Sequence, residues 1–190
     1  MDEEAIRGVA AESIALKQTF FATRARLLLD VGARICESLA AGGKVLAFGN
    51  GGAAADAQHL AGELVGRFLR DRPGLPALAL TANSSVVTAV ANDFGYESVF
   101  RRQIEALGRA GDVAIGITTS GRSASVVHAL RYARERGLVT VALTGEHVGE
   151  LRGGVDYMID VPHRETPRVQ EVHAMVVHLL CQIVEETLVP

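Results

Sequence analysis

Residues 44–52 read Lys44-Val45-Leu46-Ala47-Phe48-Gly49-Asn50-Gly51-Gly52, and an alanine-rich run carrying Asp56, His59 and Glu63 follows at once. A short apolar segment, a glycine turn and a helix-forming run make a strand–turn–helix unit. At such a turn, unpaired backbone N–H groups and the positive end of a helix dipole face outward together, where an anion docks. His59 and Glu63, four residues apart, stack on one helix face. A phosphate cradle followed by a base or metal ligand points to an enzyme acting on a small phosphorylated substrate.

Working outward, apolar segments recur at about residues 43–48, 76–81, 112–117, 138–143 and 156–161. Asp112-Val113-Ala114-Ile115-Gly116-Ile117 and Leu138-Val139-Thr140-Val141-Ala142-Leu143 are almost continuously hydrophobic, as strands buried on both faces of a parallel sheet must be. Helical spacing fills the gaps. Between residues 123 and 137, Val126, Val127, Leu130 and Ala133 recur with helical period, and Gly137 marks the C-cap. This alternation predicts right-handed crossovers and a three-layer α/β fold, a doubly wound sheet of five parallel strands.

Two long helices flank that alternation. Residues 3–40 read as one long helix or a kinked pair, an N-terminal helical extension reaching to about residue 41. Residues 169–188 form a last helix that is apolar nearly all round. Such a helix needs cover on more than one side, which predicts packing against another copy of the chain. No repeat or linker interrupts the 190 residues, so a single domain over 1–190 is expected.

Composition narrows the function classes. A net charge of −3 with dispersed arginines argues against a nucleic-acid surface. Cys36 and Cys181 are too few for a disulfide framework or a cysteine zinc site. No apolar run is long enough to span a bilayer and the N-terminus lacks a basic leader, so the expected address is the cytoplasm, with no membrane partner.

The first glycine loop, Gly49-x-Gly51-x-x-Ala54, formally matches a dinucleotide fingerprint, but the next strand ends Leu80-Thr81-Ala82-Asn83 without the ribose-binding acid. The second loop, Thr118-Thr119-Ser120-Gly121-Arg122-Ser123, sets four hydroxyls and a helix start at a strand end. Ser123 alone would serve as an N-cap, the commonest role for serine there. That role leaves Thr118, Thr119 and Ser120 unexplained, and both loops fall on the carboxyl edge of the sheet, where ligands bind. One shared phosphate-ester site is the better account. On the last helix, His173 phases with Val177, Leu180 and Val184 and reads as a packed histidine. His178 phases with Glu171, Gln182 and Glu185 and reads equally well as an ordinary surface residue.

Taken in order, Gly49-Asn50-Gly51-Gly52, Asp56-Ala57-Gln58-His59 with Glu63, Arg72-Pro73-Gly74-x-Pro76, Asn92-Asp93-Phe94-Gly95, Thr119-Ser120-Gly121-x-Ser123, Leu143-Thr144-Gly145 and Gln170-Glu171-x-His173 with His178 resemble the phosphoheptose isomerases. These are single sugar-isomerase (SIS) domains of flavodoxin-like fold. The resemblance implies conversion of sedoheptulose 7-phosphate to D-glycero-D-manno-heptose 7-phosphate, an early step towards ADP- or GDP-heptoses. It implies a homotetramer with active sites at subunit interfaces and one Zn2+ per subunit. By match, the zinc ligands are His59, Glu63, Gln170 and His178. The substrate contacts are Asn50, Gly51, Gly52, Asn92, Asp93, Thr118, Thr119, Ser120, Ser123 and Gln170.

Glu63 is the catalytic base and His178 its acid/base partner on this resemblance, and zinc polarises the carbonyl. The two roles of Glu63 pull against each other, because a metal-bound carboxylate is a weaker base. Gln170 and His178 also lie eight residues apart, about 12 Å along a continuous helix, so a shared metal requires a late helix start or a ligand from a neighbouring subunit. One departure stands out: Ala53 occupies the position after Asn-Gly-Gly where the family usually carries serine. Two rival readings remain: a non-catalytic SIS protein that binds the replication initiator, and a SIS isomerase or sensor for another sugar phosphate. The presence of Glu63 and His178 favours the enzyme.

Overall fold

The computed structural model describes residues 1–189. Five strands, β1 (Val45–Gly49), β2 (Ala77–Ala79), β3 (Val113–Thr118), β4 (Val139–Thr144) and β5 (Tyr157–Asp160), form one all-parallel sheet in the order β2-β1-β3-β4-β5. Six helices accompany them: α1 (Glu3–Ala40), α2 (Gly52–Val65), α3 (Ser84–Phe94), α4 (Val99–Leu107), α5 (Ala124–Glu135) and α6 (Thr166–Leu188). The expected three-layer doubly wound architecture is present, and each expected strand lies within a few residues of its segment.

Alternate residues of each strand feed opposite layers, as the two-residue period of a strand requires. Val45, Ala47, Val113, Ile115, Ile117, Val141, Leu143 and Ile159 pack with α1, α2 and α6. Leu46, Phe48, Ala114 and Ala142 pack with α4 and α5 on the other face. There the Phe48 and Phe100 rings lie 5.3 Å apart. Burying each such phenylalanine contributes about 1.5–3 kcal/mol.

The N-terminal stretch is one helix rather than a kinked pair. Asp2 caps it by accepting from the Ala5 N–H (2.9 Å), and no proline interrupts it. The last helix begins at Thr166, with Pro167 in its first turn where the missing N–H is harmless, one turn earlier than expected. Much of the cover that α6 needs comes from within the chain: it is clasped between α1 and α2, and its Val169, Val172, Val176, Val177, Leu180 and Val184 are buried. Met175 is the large apolar side chain of α6 left open, and others lie on α1, among them Ile6 and Ile14.

The strand order reverses between β1 and β3, so the crevice of the sheet opens at the carboxyl ends of these two strands. Gly49 ends β1 beside Ile117, and Thr118 ends β3 one residue later. The two polar loops singled out in the sequence therefore emerge side by side.

Candidate active site

The β1 loop turns at Gly51, whose φ of +60° is a conformation L side chains rarely adopt. The α2 N-cap is this glycine, so no side chain occupies the helix end. Ala53 and Ala54 turn their N–H groups back on the Asn50 and Gly51 carbonyls. The Gly51 and Gly52 N–H groups take no partner among the described residues and point from an uncapped helix terminus. Asn50 is fixed from two sides: its amide nitrogen donates to Ser125 Oγ (3.0 Å) and its carbonyl accepts from Tyr96 OH (2.9 Å). That link ties the β1 loop to the first turn of α5.

The β3 loop supplies hydroxyls. Thr118 Oγ1 lies 3.1 Å from Ser123 Oγ and 3.4 Å from Ser120 Oγ. Ser123 stands at the N-cap position of α5, yet its side chain makes no cap bond; it faces Thr118 instead. The simple capping account of Ser123 therefore fails. Gly121 turns the loop with φ of +62°, and a Cβ there would run into the His147 carbonyl. Thr119 Oγ1 meets Thr166 Oγ1 at 3.3 Å, joining this loop to the start of α6. Two helix N-termini and a cluster of hydroxyls thus border one crevice, a set of donors suited to a phosphate dianion.

Helices α2 and α6 run side by side away from this crevice. Gly52 faces Gln170, whose amide fills the space a Cβ would need. Seven residues further along α2, His59 Nε2 lies 3.2 Å from Glu63 Oε1 and 3.2 Å from His178 Nε2. The ligand atoms of His59, Glu63 and His178 all fall within 4.8 Å of one another. The imidazoles meet edge to face, and the Phe68 ring backs His178. Asp56, one turn before His59, is half-buried; burial raises its carboxyl above the usual range against the opposing pull of His59.

Two imidazole nitrogens and a carboxylate oxygen turned towards one point are the donor set of a catalytic zinc site, which keeps its remaining position for water or substrate. These residues fit such an ion. Within one chain Gln170 does not join them, which leaves a ligand from a neighbouring subunit as the route to the four-ligand set. Because α6 is already helical from Thr166, Gln170 and His178 are separated by about 12 Å of rise. The late helix start that would have brought both to one metal is absent, and within one chain Gln170 borders the phosphate crevice instead.

Comparison with known proteins places the chain in a family. Residues 10–145 match the SIS domain family. The phosphoheptose isomerase of Roseiflexus sp. (strain RS-1) is 53% identical over 176 residues, covering 93% of this chain and 89% of that protein. The chain belongs to the phosphoheptose isomerase family. Its fold superposes on phosphoheptose isomerase GmhA from Neisseria gonorrhoeae with a TM-score of 0.91 at 40% identity, covering 97% of this chain and 98% of the other. For a phosphoheptose isomerase from Francisella tularensis the TM-score is 0.93 at 33% identity, with 98% and 100% covered.

The remaining phosphoheptose isomerase positions divide in two. Asn92 and Asp93 sit exposed at the end of α3, paired with each other (Nδ2 to Oδ1, 2.7 Å) and outside the hydrogen-bonded loops. Tyr96, three residues on, is the group from that segment that reaches Asn50. Sequence reading passed over Tyr96, Ser125 and Thr166. Tyr96 directly follows the Asn92–Gly95 motif and Ser125 follows Ser123 by two, so proximity to a motif was the signal available. His173 is a packed core histidine as expected: fully buried, with Nε2 3.1 Å from the Thr144 carbonyl. Glu185 is not the surface residue its phase with His178 suggests. It is buried and accepts from the backbone N–H groups of Phe68, Leu69 and Arg70 and from Arg72.

Proposed function

We propose that this protein is an aldose–ketose isomerase that converts sedoheptulose 7-phosphate to D-glycero-D-manno-heptose 7-phosphate. The observation that carries the reading is the placement of His59, Glu63 and His178 about 10 Å along α2 from a double helix-terminus phosphate cradle. A seven-carbon sugar with phosphate on C7 reacts at C1 and C2, its opposite end. A site with donors at the start of α2 and acid/base groups two turns along it suits a substrate held at one end and reacting at the other. Family membership favours the same substrate over a hexulose phosphate or a non-catalytic partner role.

Thr118, Thr119, Ser120 and Ser123 with the α5 N-terminus bind the phosphate, and Asn50, Gly51, Gly52 and Gln170 orient the chain of hydroxyls. Asn92 and Asp93 contribute from the crevice rim. Glu63 removes a proton from C1 of the ketose while His178 protonates the C2 oxygen, giving an enediol. Glu63 then returns the proton to C2, and His178 takes the proton of the C1 hydroxyl. Glu63 turns Oε1 to His59, which leaves Oε2 for the substrate and eases the tension between its two roles. His59, Glu63 and His178, with Gln170 of a neighbouring subunit, would hold zinc, which when bound would supply Lewis-acid polarisation of the carbonyl. Oligomerisation to a tetramer and a cytoplasmic location accompany this reading; the exposed apolar residues of α1 support the first. Among the described residues no helix is long and apolar enough to cross a membrane.

Incubation with sedoheptulose 7-phosphate and NMR of the products tests the proposal. An aldoheptose 7-phosphate is expected, with zinc found by elemental analysis, activity lost to a strong chelator and regained on adding zinc. Turnover of a hexulose 6-phosphate in preference, or of neither sugar, would overturn it. The cradle has its own test. Removing a hydrogen bond to a charged group costs about 1.5–3 kcal/mol, so Ser120→Ala should weaken sugar-phosphate binding about 10- to 150-fold with the fold intact. Unchanged affinity by calorimetry would remove Ser120 from the site.

A further inference from the structure

Two turns beyond His178 on the same face of α6, Glu185 is buried with Arg72, their side chains 2% and 1% exposed. The carboxylate is saturated: it accepts from the Phe68, Leu69 and Arg70 N–H groups (2.8, 2.8 and 2.9 Å) and from Arg72 Nε (2.9 Å). The guanidinium, in turn, donates to the carbonyls of Glu63 (2.7 Å) and Leu64 (2.8 Å), in the last turn of α2. One of its acceptors is therefore the backbone of the proposed base itself. We infer that the Arg72–Glu185 pair is a positioning device that fixes Glu63 on α2 opposite His178 on α6.

Three features favour this over a purely structural pair. A buried ion pair adds little net stability compared with apolar packing of the same volume, so stability alone is a weak reason for one. Glu185 and His178 share one rigid helix, and Arg72 binds the last turn of the other, so the pair sets the spacing of the two helices next to the cluster. The cluster depends on that spacing, since His59 meets both Glu63 and His178 at 3.2 Å. A displacement of about 1 Å in such a site costs on the order of 100-fold in rate. Lysine cannot replace the planar guanidinium, whose fork serves Glu185 and two carbonyls at once.

The inference rests on the isomerase reading, and its test includes a readout that needs no turnover. Arg72→Lys and Glu185→Gln are compared with Asp112→Asn, which weakens another buried pair, Lys44–Asp112, at the amino ends of β1 and β3 and with no contact to α2 or α6 among its hydrogen bonds. The expected result is a kcat at least about ten-fold lower for either clamp variant with KM within two-fold, and displaced 15N imidazole resonances of His59 and His178. Asp112→Asn should change neither, at a comparable loss of thermal stability. If Arg72→Lys fails to fold, Glu185→Gln, which preserves the side chain's shape, is read in the same way. Unmoved imidazole resonances in a folded clamp variant, or equal displacement in Asp112→Asn, would overturn the positioning role. Absence of turnover in the unmodified protein would instead overturn the isomerase reading and leave the NMR comparison to decide the clamp.

Discussion

Glu63→Gln should lower kcat about 100- to 10,000-fold, the usual contribution of a positioned general acid or base, while KM for the sugar phosphate changes little. The amide has the carboxylate's shape and can still lie against His59, but it cannot accept a carbon-bound proton. The phosphate-binding hydroxyls of the β3 loop make no hydrogen bond to Glu63 and remain intact. Single-turnover kinetics with substrate deuterated at C1 separate the chemical step from binding; a fall of only a few-fold would mean that another group is the base. The same geometry makes a statement about subunits. Glu63 and His178 of one chain already share a cluster, so mixing inactive Glu63→Gln and His178→Ala proteins should restore no activity even after subunit exchange.

Unfolding stability should fall by up to about 3 kcal/mol between pH 6.5 and pH 4 because of one buried imidazole. His173 donates from Nε2 to the Thr144 carbonyl, and its Nδ1 is buried with no partner among the described residues. A second proton on that ring would have no acceptor. Burial pulls its pKa from 6.5 down to about 4, against a smaller opposing effect of the Thr144 bond. Because the folded value is the lower one, the unfolded chain takes up the proton first as pH falls. The contribution is complete above pH 6.5 and gone by about pH 4. Glu185 acts further down the scale. Burial alone would raise it, but the Leu69, Phe68 and Arg70 N–H groups and Arg72 outweigh that and hold it at about 2, so its contribution is lost from about pH 4.5 downward. Urea midpoints measured at intervals from pH 7 to pH 4 should show the decline, and His173→Gln should flatten it. An unchanged slope in that variant would assign the decline to other groups.

How far the sequence could be read depended on the range of the interactions. The strands announce themselves through unbroken apolar runs, and the helices through their period. The His59–Glu63 pair is equally local, because four residues on a helix are one turn. His178 has no such signature; it joined the site only through resemblance, since 119 residues separate it from His59. The role of Glu185 is hidden from the sequence for a related reason. A carboxylate on a polar line looks solvated, and the groups that satisfy it are backbone N–H groups of the segment 68–70, which no side-chain pattern reveals. Nor does anything in the sequence of α6 tell that α1 folds back to supply much of its cover.

The parallel course of α2 and α6 has an evolutionary consequence. Gly52 meets Gln170, His59 meets His178, and the segment just beyond α2 meets Glu185, like three rungs between two uprights. Adding one residue to either upright between rungs would turn everything beyond it by about 100° and break the match. The two segments, more than a hundred positions apart in the chain, are therefore bound to a common measure. Substitutions on the outer faces between the rungs leave that measure intact, whereas a gained or lost residue in one helix is tolerable only alongside a compensating change in the other.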